Sequence, residues 1–339
     1  MSRNGPLALG KLPADLLARL LARAPMDDPR VVLGPGIGLD CAVVEAGDGL
    51  LVFKSDPITF LADDLGSYLV QVNLNDLATT GAVPRWLLVT LLLPERDTTV
   101  RRVEALFDQI HDACRDAGIA VVGGHTEITR GLDRPLAAAT LIGEVSRQAL
   151  VTPRGARPGD RLLLTKGVPI EAVSILAREF PDRVREAVGE AGLEEARDYR
   201  VRPGISVLAD ARTALAAGRI TAMHDPTEGG LAGALWELAL ASGCTLVVDT
   251  GAVPVPRLAG DLCRAFGIDP LAAIASGALL LTCGVDDAKG VIDTLGRGGI
   301  PCTQIGEVRP GPPGVIGADE AATPLTRPAA DALTRIYER

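Results

Sequence analysis

Aromatic side chains are scarce in this sequence: two Trp, three Tyr and five Phe in 339 residues. A surface that stacks the bases of single-stranded nucleic acid has little to be built from. Positive charge is short as well. Thirty-four basic residues face 43 acidic ones, a formal net charge of -9 and the wrong sign for tracking a phosphate backbone. Non-specific nucleic-acid binding is close to excluded on that ground. One bound nucleotide is not, because a metal ion can carry the opposing charge. No apolar run approaches the roughly 18 to 20 residues that span a bilayer. The longest stretches, 86–93 and 278–281, have the length of buried strands, so no membrane partner is expected. The cysteines, Cys41, Cys114, Cys244, Cys263, Cys283 and Cys302, lie far apart with no C-x-x-C, which leaves neither a zinc ribbon nor a thioredoxin-type pair. Reduced, mostly buried thiols in a cytoplasmic protein are expected. Four lysines stand against thirty arginines, a bias attributed here to the genome rather than to mechanism.

Hydrophobic residues, in contrast, make up 47% and charged residues 23%, enough for a sizeable core, and the length suits two domains. Residues 12–24 have a helical period broken by Asp15, Arg19 and Arg23, the pattern of an amphipathic helix and not of a leader peptide. A glycine-rich turn at 34–38 leads into a strand at 41–45, and residues 47–49 read as a hairpin into a strand at 50–54. Helices are expected at 63–80 and 98–117, and strands at 85–93, 119–122 and 136–145, the second of these strands short and buried. Pro153, Gly155, Pro158 and Gly159 mark a boundary, which gives domains 1–150 and 151–339. The second half reads as strands at 161–165, 245–249, 278–283 and 302–308, the last an edge strand. Its helices fall at 172–196 (broken at Pro181), 206–217, 231–242 and 288–297, and residues 310–328 wrap the surface.

No G-x-x-x-x-G-K-[ST] is present, and Gly36-Ile37-Gly38 begins a dinucleotide fingerprint whose third glycine position holds Cys41. What stands out is acid at the ends of elements. Asp40 follows the glycine turn, and Asp56 sits just past the strand ending at Lys54. Asn73, Asn75 and Asp76 interrupt the apolar stretch 70–82. Asp76, between Leu74 and Leu77, falls near the buried side of that helix, and a buried carboxylate needs a partner or a metal. Hard cations such as Mg²⁺ take a few carboxylates and complete their shell with water and phosphate oxygens. Gly123-Gly124-His125-Thr126-Glu127 offers close backbone approach beside three polar groups, or simply a strand-to-loop turn. His224-Asp225-Pro226-Thr227-Glu228-Gly229-Gly230 precedes the helix at 231–242. Its N–H groups suit an anion, and Asp225 or Thr227 may equally serve as the cap.

In this order the motifs resemble the aminoimidazole ribonucleotide synthetase (PurM-like) superfamily. Its members include that purine enzyme, thiamine-monophosphate kinase, selenophosphate synthetase and the hydrogenase-maturation carbamoyl dehydratase, HypE. The likeness runs from Gly34 to Val308. Gly36-Ile37-Gly38-Leu39-Asp40 is similar to the G-x-G-x-D entry segment, and Lys54-Ser55-Asp56 to a Thr-Thr-Asp or Ser-Thr-Asp strand end. Asn75-Asp76-Leu77-Ala78-Thr79-Thr80-Gly81-Ala82 resembles the N-D-L-A-x-x-G-A helix and is the most specific piece. Gly123-Gly124-His125-Thr126 resembles the G-G-[DEH]-[TS] turn, and residues 225–231 the D-P-T-x-G-G-L of the HypE-like branch.

The resemblance implies an α/β (α+β) two-domain fold. Its N-terminal domain pairs into a β-barrel across a homodimer, and a C-terminal α/β domain closes a cleft holding ATP and Mg²⁺. It implies metal on Asp40, Asp56 and Asp76, with Asp76, Lys54 and His125 in catalytic positions. Gly36, Gly38, Asn75, Gly123, Gly124 and Thr126 would stand at the ATP phosphates, and Asp225, Thr227, Gly229 and Gly230 on the substrate side. The activity implied is phosphorylation or ATP-activation of a small substrate. A kinase of the thiamine-phosphate type and a non-catalytic ATP-binding accessory protein are the alternatives. Three departures are evident. The sequence ends Ile336-Tyr337-Glu338-Arg339 where HypE ends in a reactive cysteine, so the carbamoyl-to-cyano reaction on its own tail is not expected. Position 125 is His where two branches have Asp. No Cys-Lys pair precedes Gly34, which disfavours selenide chemistry.

Overall fold

The structure, a computed structural model, describes residues 12–59 and 64–337. The chain divides into two units. The first comprises Met26–Pro35 and Asp40–Leu150; the second comprises Gly36–Leu39 with residues 12–25 and 151–337. Helix α1 (Ala14–Leu21) therefore groups with the second unit.

The first unit is a six-stranded sheet with two helices. Its strands are β1 (Val31–Leu33), β2 (Ala42–Ala46), β3 (Gly49–Ile58), β4 (Val83–Pro94), β5 (Ala120–Thr129) and β6 (Leu136–Val145), in the order β1-β2-β3-β6-β4-β5. All neighbours are antiparallel except β4 and β5. Burial alternates along β3, β4 and β6, as the two-residue period of a strand requires. Helices α2 (Leu65–Ala78) and α3 (Val100–Ala117) follow β3 and β4. Eleven of the fourteen residues of α2 are buried, so this helix is enclosed on nearly every side, consistent with its apolar run. Thr99 caps α3 by accepting from the Arg102 N–H, and Gly118, left-handed, ends it.

The second unit carries β7 (Arg161–Thr165), α4 (Glu171–Glu179), α5 (Pro181–Asp198), α6 (Leu208–Ala217), β8 (Ile220–His224), α7 (Gly230–Ser242), β9 (Thr245–Val248), α8 (Arg257–Phe266), β10 (Leu280–Cys283), α9 (Val285–Arg297), β11 (Cys302–Arg309), β12 (Gly314–Gly317) and α10 (Thr334–Tyr337). Its sheet runs β12-β9-β11-β7-β10-β8. Leu231, Leu235 and Leu238 of α7 share one apolar core with Leu162, Leu164, Leu246, Leu280 and Ile305 of the sheet.

Several expectations are corrected. The strand at 302–308 is interior, between β9 and β7, because β12 and β9 extend the sheet beyond it. Gly314–Gly317, expected to be surface wrapping, pairs in parallel with β9. The short buried strand at 119–122 and its glycine turn are one ten-residue strand, β5, exposed at nine positions. β3 does not stop at Lys54 but continues to Ile58, which puts Asp56 inside it. Strands β1 and β8 and helix α8 were absent from the sequence reading. The expected start of the second helix at Asp63 lies outside the described residues.

Candidate active site

Strand alternation places Lys54 and Asp56, two residues apart on β3, on one face of the sheet. Asp76 of α2 meets them there. The Lys54 Nζ donates to Asp76 Oδ2 at 2.7 Å and lies 3.0 Å from Asp56 Oδ2. The side chains of Lys54 and Asp76 are 8% and 4% exposed, whereas Asp56, at 36%, opens the cluster to solvent. Asn73, one turn before Asp76, fixes the two elements to each other. The Asp56 N–H donates to its Oδ1 at 3.0 Å, and its Nδ2 donates to the Asp56 carbonyl at 3.4 Å and to that of Leu69 at 2.9 Å. Asn75 is fully buried and accepts from Gln71 Nε2 at 2.8 Å.

Burial alone would push the Lys54 ammonium toward its neutral form. Asp76, Asp40 and Asp56 outweigh that penalty and hold its pKa well above the ordinary lysine range. Two carboxylates thus touch the ammonium, a third acts on it through its field, and all three offer hard oxygen donors. That donor set fits a magnesium-type cation, which prefers carboxylate, water and phosphate oxygens over nitrogen or sulfur.

The other catalytic candidate of the first unit lies elsewhere. His125 sits on β5 in register with Thr90 of β4. Thr90 is exposed between buried Val89 and Leu91, so this register partner faces away from α2. Strands β6 and β4 separate β5 from β3, which is roughly 14 Å at about 4.8 Å per strand. His125 and Thr126 are exposed, and His125 Nε2 is 3.3 Å from Glu127 Oε2. The glycine beside them has a packing reason of its own: a Cβ at Gly124 would stand 1.8 Å from the Val89 carbonyl oxygen.

In the second unit, the Gly36–Leu39 turn places Gly38 against the backbone of Glu237 in α7. Glu237 Oε2 lies 2.9 Å from Nε2 of the buried His224, which ends β8. Asp225 is buried behind it. Gly229 and Gly230, both at positive φ, open α7, with Gly229 in the N-cap position. The anion found at that helix start is Asp331, whose Oδ2 accepts from the Gly229 N–H at 2.8 Å. Burial raises the Asp331 pKa to about 6 despite the backbone N–H groups of Leu333 and Gly229.

Residues 38–145 match the family AIR synthase related protein, N-terminal domain, and residues 157–318 match its C-terminal domain. The chain belongs to the AIR synthase related family. Among AIR synthase related relatives, carbamoyl dehydratase HypE of Cupriavidus necator is 31% identical over 264 residues, 74% of this chain and 70% of that one. A solved structure of AaThiL complexed with AMPPCP and TMP superposes with a TM-score of 0.71 at 22% identity, covering 93% of this chain and 94% of the other. Hydrogenase maturation protein HypE in complex with ATP gives 0.70 at 24% identity, covering 89% and 90%. Asp56 and Asp76 were visible as acids at element ends and in an apolar helix, and Lys54 through the family-like Lys54-Ser55-Asp56 motif. Neither signal pointed to the roles of Asn73, Glu237 and Asp331. Asn73 was visible as a polar residue in an apolar helix; Asp331 lies 102 positions from the loop it meets, and nothing local announces it.

Proposed function

We propose that this protein is an ATP- and Mg²⁺-dependent enzyme that phosphorylates or ATP-activates an oxygen of a small or protein-borne acceptor. The observation that carries this reading is the buried Lys54–Asp56–Asp76 cluster, with Asp40 contributing to the same field. Asp40, Asp56 and Asp76, with Lys54 between the last two, would hold only the metal that accompanies the nucleotide, which supplies neutralisation of the polyphosphate charge. Asn73 ties α2 to β3 beside the cluster, and Asn75 would stand at the ATP phosphates. Four of the six thiols are held away from covalent catalysis. Burial raises Cys114 and Cys283 to about 11 and Cys263 and Cys302 to about 12, so these four rest as thiols at neutral pH. The transfer would then rest on positioning and charge. Gly229, Gly230, Thr227 and Asp225 serve the acceptor side, with His224 oriented by Glu237.

The active species is a homodimer paired through β5. What supports this is that β5, the last strand of its sheet among the described residues, carries Val121, Val122 and Ile128 at 40%, 54% and 60% exposure. His125, Thr126, Gly123 and Gly124 would then stand at the subunit interface.

Calorimetric titration with ATP and Mg²⁺, paired with an ADP assay, tests the assignment. The wild type should bind and turn over, and Asp76→Asn should lose both while remaining folded. Full activity in Asp76→Asn would sink it. A nucleotide-binding accessory protein is the second reading, favoured by one observation: Asp331 of the chain itself already takes the Gly229 N–H. It predicts ATP binding with turnover no faster than in Asp76→Asn.

A further inference from the structure

Lys54 occupies a position where the resemblance led us to expect a metal. Its Nζ stands 2.7 Å from one Asp76 oxygen and 3.0 Å from one Asp56 oxygen, between two of the three carboxylates assigned to the cation. A divalent ion held by those same two carboxylates would need the space the ammonium takes up. The ammonium and the ion cannot both fill that gap. The side chain is also held in place. Lys54 is 8% exposed, it shares a strand face with Asp56, and Asn73 joins α2 to the Asp56 backbone in both directions. The ammonium is thus part of the packed structure and not a surface side chain resting on a vacant acid.

The choice of residue type adds a second, independent observation. Against thirty arginines the sequence has four lysines, and two of them are buried on aspartates. Lys166 Nζ lies 3.1 Å from Asp210 Oδ2 and donates to the Ser206 carbonyl at 2.7 Å. At these two buried sites lysine supplies a compact point charge rather than a planar guanidinium fork. That is the geometry of a small cation between carboxylates.

We propose that the Lys54 ammonium is a built-in cation that replaces the divalent ion between Asp56 and Asp76. The chain accordingly binds one divalent cation fewer than its acidic set would otherwise take. The inference rests on the ATP and Mg²⁺ reading for its purpose, and on the placement of Lys54 alone for its test.

The test counts Mn²⁺ bound per full-length chain, by the electron paramagnetic resonance of free Mn²⁺, with and without a non-hydrolysable ATP analogue. Lys54→Met keeps most of the side-chain volume and removes the charge; it should bind one Mn²⁺ more than the wild type under both conditions. Melting temperatures give a second readout. The wild type should be indifferent to EDTA. Lys54→Met should lose about 5 °C in EDTA and regain it in millimolar Mg²⁺. Lys54→Ser, purified in Mg²⁺, takes its place should the Met variant not fold. Equal Mn²⁺ counts in the wild type and a folded Lys54 variant, with no rescue by Mg²⁺, overturn the proposal. The one-ion difference without any analogue binding would support the built-in cation and refute the ATP reading. Analogue binding without the difference would do the reverse.

Discussion

The Lys54 ammonium and the Asp76 carboxylate, 2.7 Å apart and both more than nine-tenths buried, tie strand β3 to helix α2. Removing one partner of a buried pair strands the other, which costs about 3 kcal/mol or more. Asp76→Ala is therefore expected to lose about 3 kcal/mol in urea unfolding, since Asp56 relieves part of the penalty. Asp76→Asn should lose about 1 kcal/mol, because its amide oxygen still accepts from Lys54. An Asp76→Ala chain as stable as the wild type would mean that the pair does not hold the two elements together.

The loop that opens α7 separates two glycine requirements. At Gly229 the nearest atom to an added Cβ is 3.7 Å away, so Gly229→Ala meets only the cost of positive φ, about 1 kcal/mol. At Gly230 the same Cβ would stand 2.5 Å from the Ala273 carbonyl oxygen and 2.6 Å from that of Leu271. Gly230→Ala should thus cost at least about 2 kcal/mol more than Gly229→Ala by chemical denaturation. Equal stabilities would contradict the close approach.

Asp331 gives the fold a pH dependence with a definite sign. Its folded pKa, about 6, is above the ordinary value of 3.8, so between those values the native state holds a proton that the unfolded chain has released. Its contribution to stability is present below about pH 4 and is lost as pH rises through about 6. At 1.36 kcal/mol per unit, the swing is roughly 2 to 3 kcal/mol. Asp331→Asn gives up one of the two bonds from Gly229 and Leu333, a constant offset, but removes the titration. The difference in melting temperature, variant minus wild type, should rise from pH 4 to pH 7. A flat difference would show that burial does not perturb this carboxyl.

Strand β5 predicts its own covering. Val122 is 54% exposed on the last strand of its sheet among the described residues, and Val122→Lys puts a charge on the strand expected to meet its twin. Light scattering after size exclusion should find the wild type at twice the chain mass and Val122→Lys shifted toward the single chain. A monomeric wild type would remove the dimer from the proposal.

Much of the first unit was legible because its signals are local. Alternating burial in β3, β4 and β6 follows directly from alternating side chains, and α3 begins and ends at its own cap residues, Thr99 and Gly118. The acids were legible too, since a carboxylate and two amides in an apolar helix are costly unless something meets them. The sequence by itself thus determined many of the elements and which polar residues needed partners. Only the tertiary structure decided who the partners are. It set Lys54 between Asp56 and Asp76, put His125 three strands away on the other face, brought Asp331 to the Gly229 N–H, and moved β11 from the edge to the middle of its sheet. The physical reason is common to all four. Periodicity and caps act over a few residues, whereas strand order and charge pairing are settled when distant segments share one buried space and every polar group in it must be satisfied.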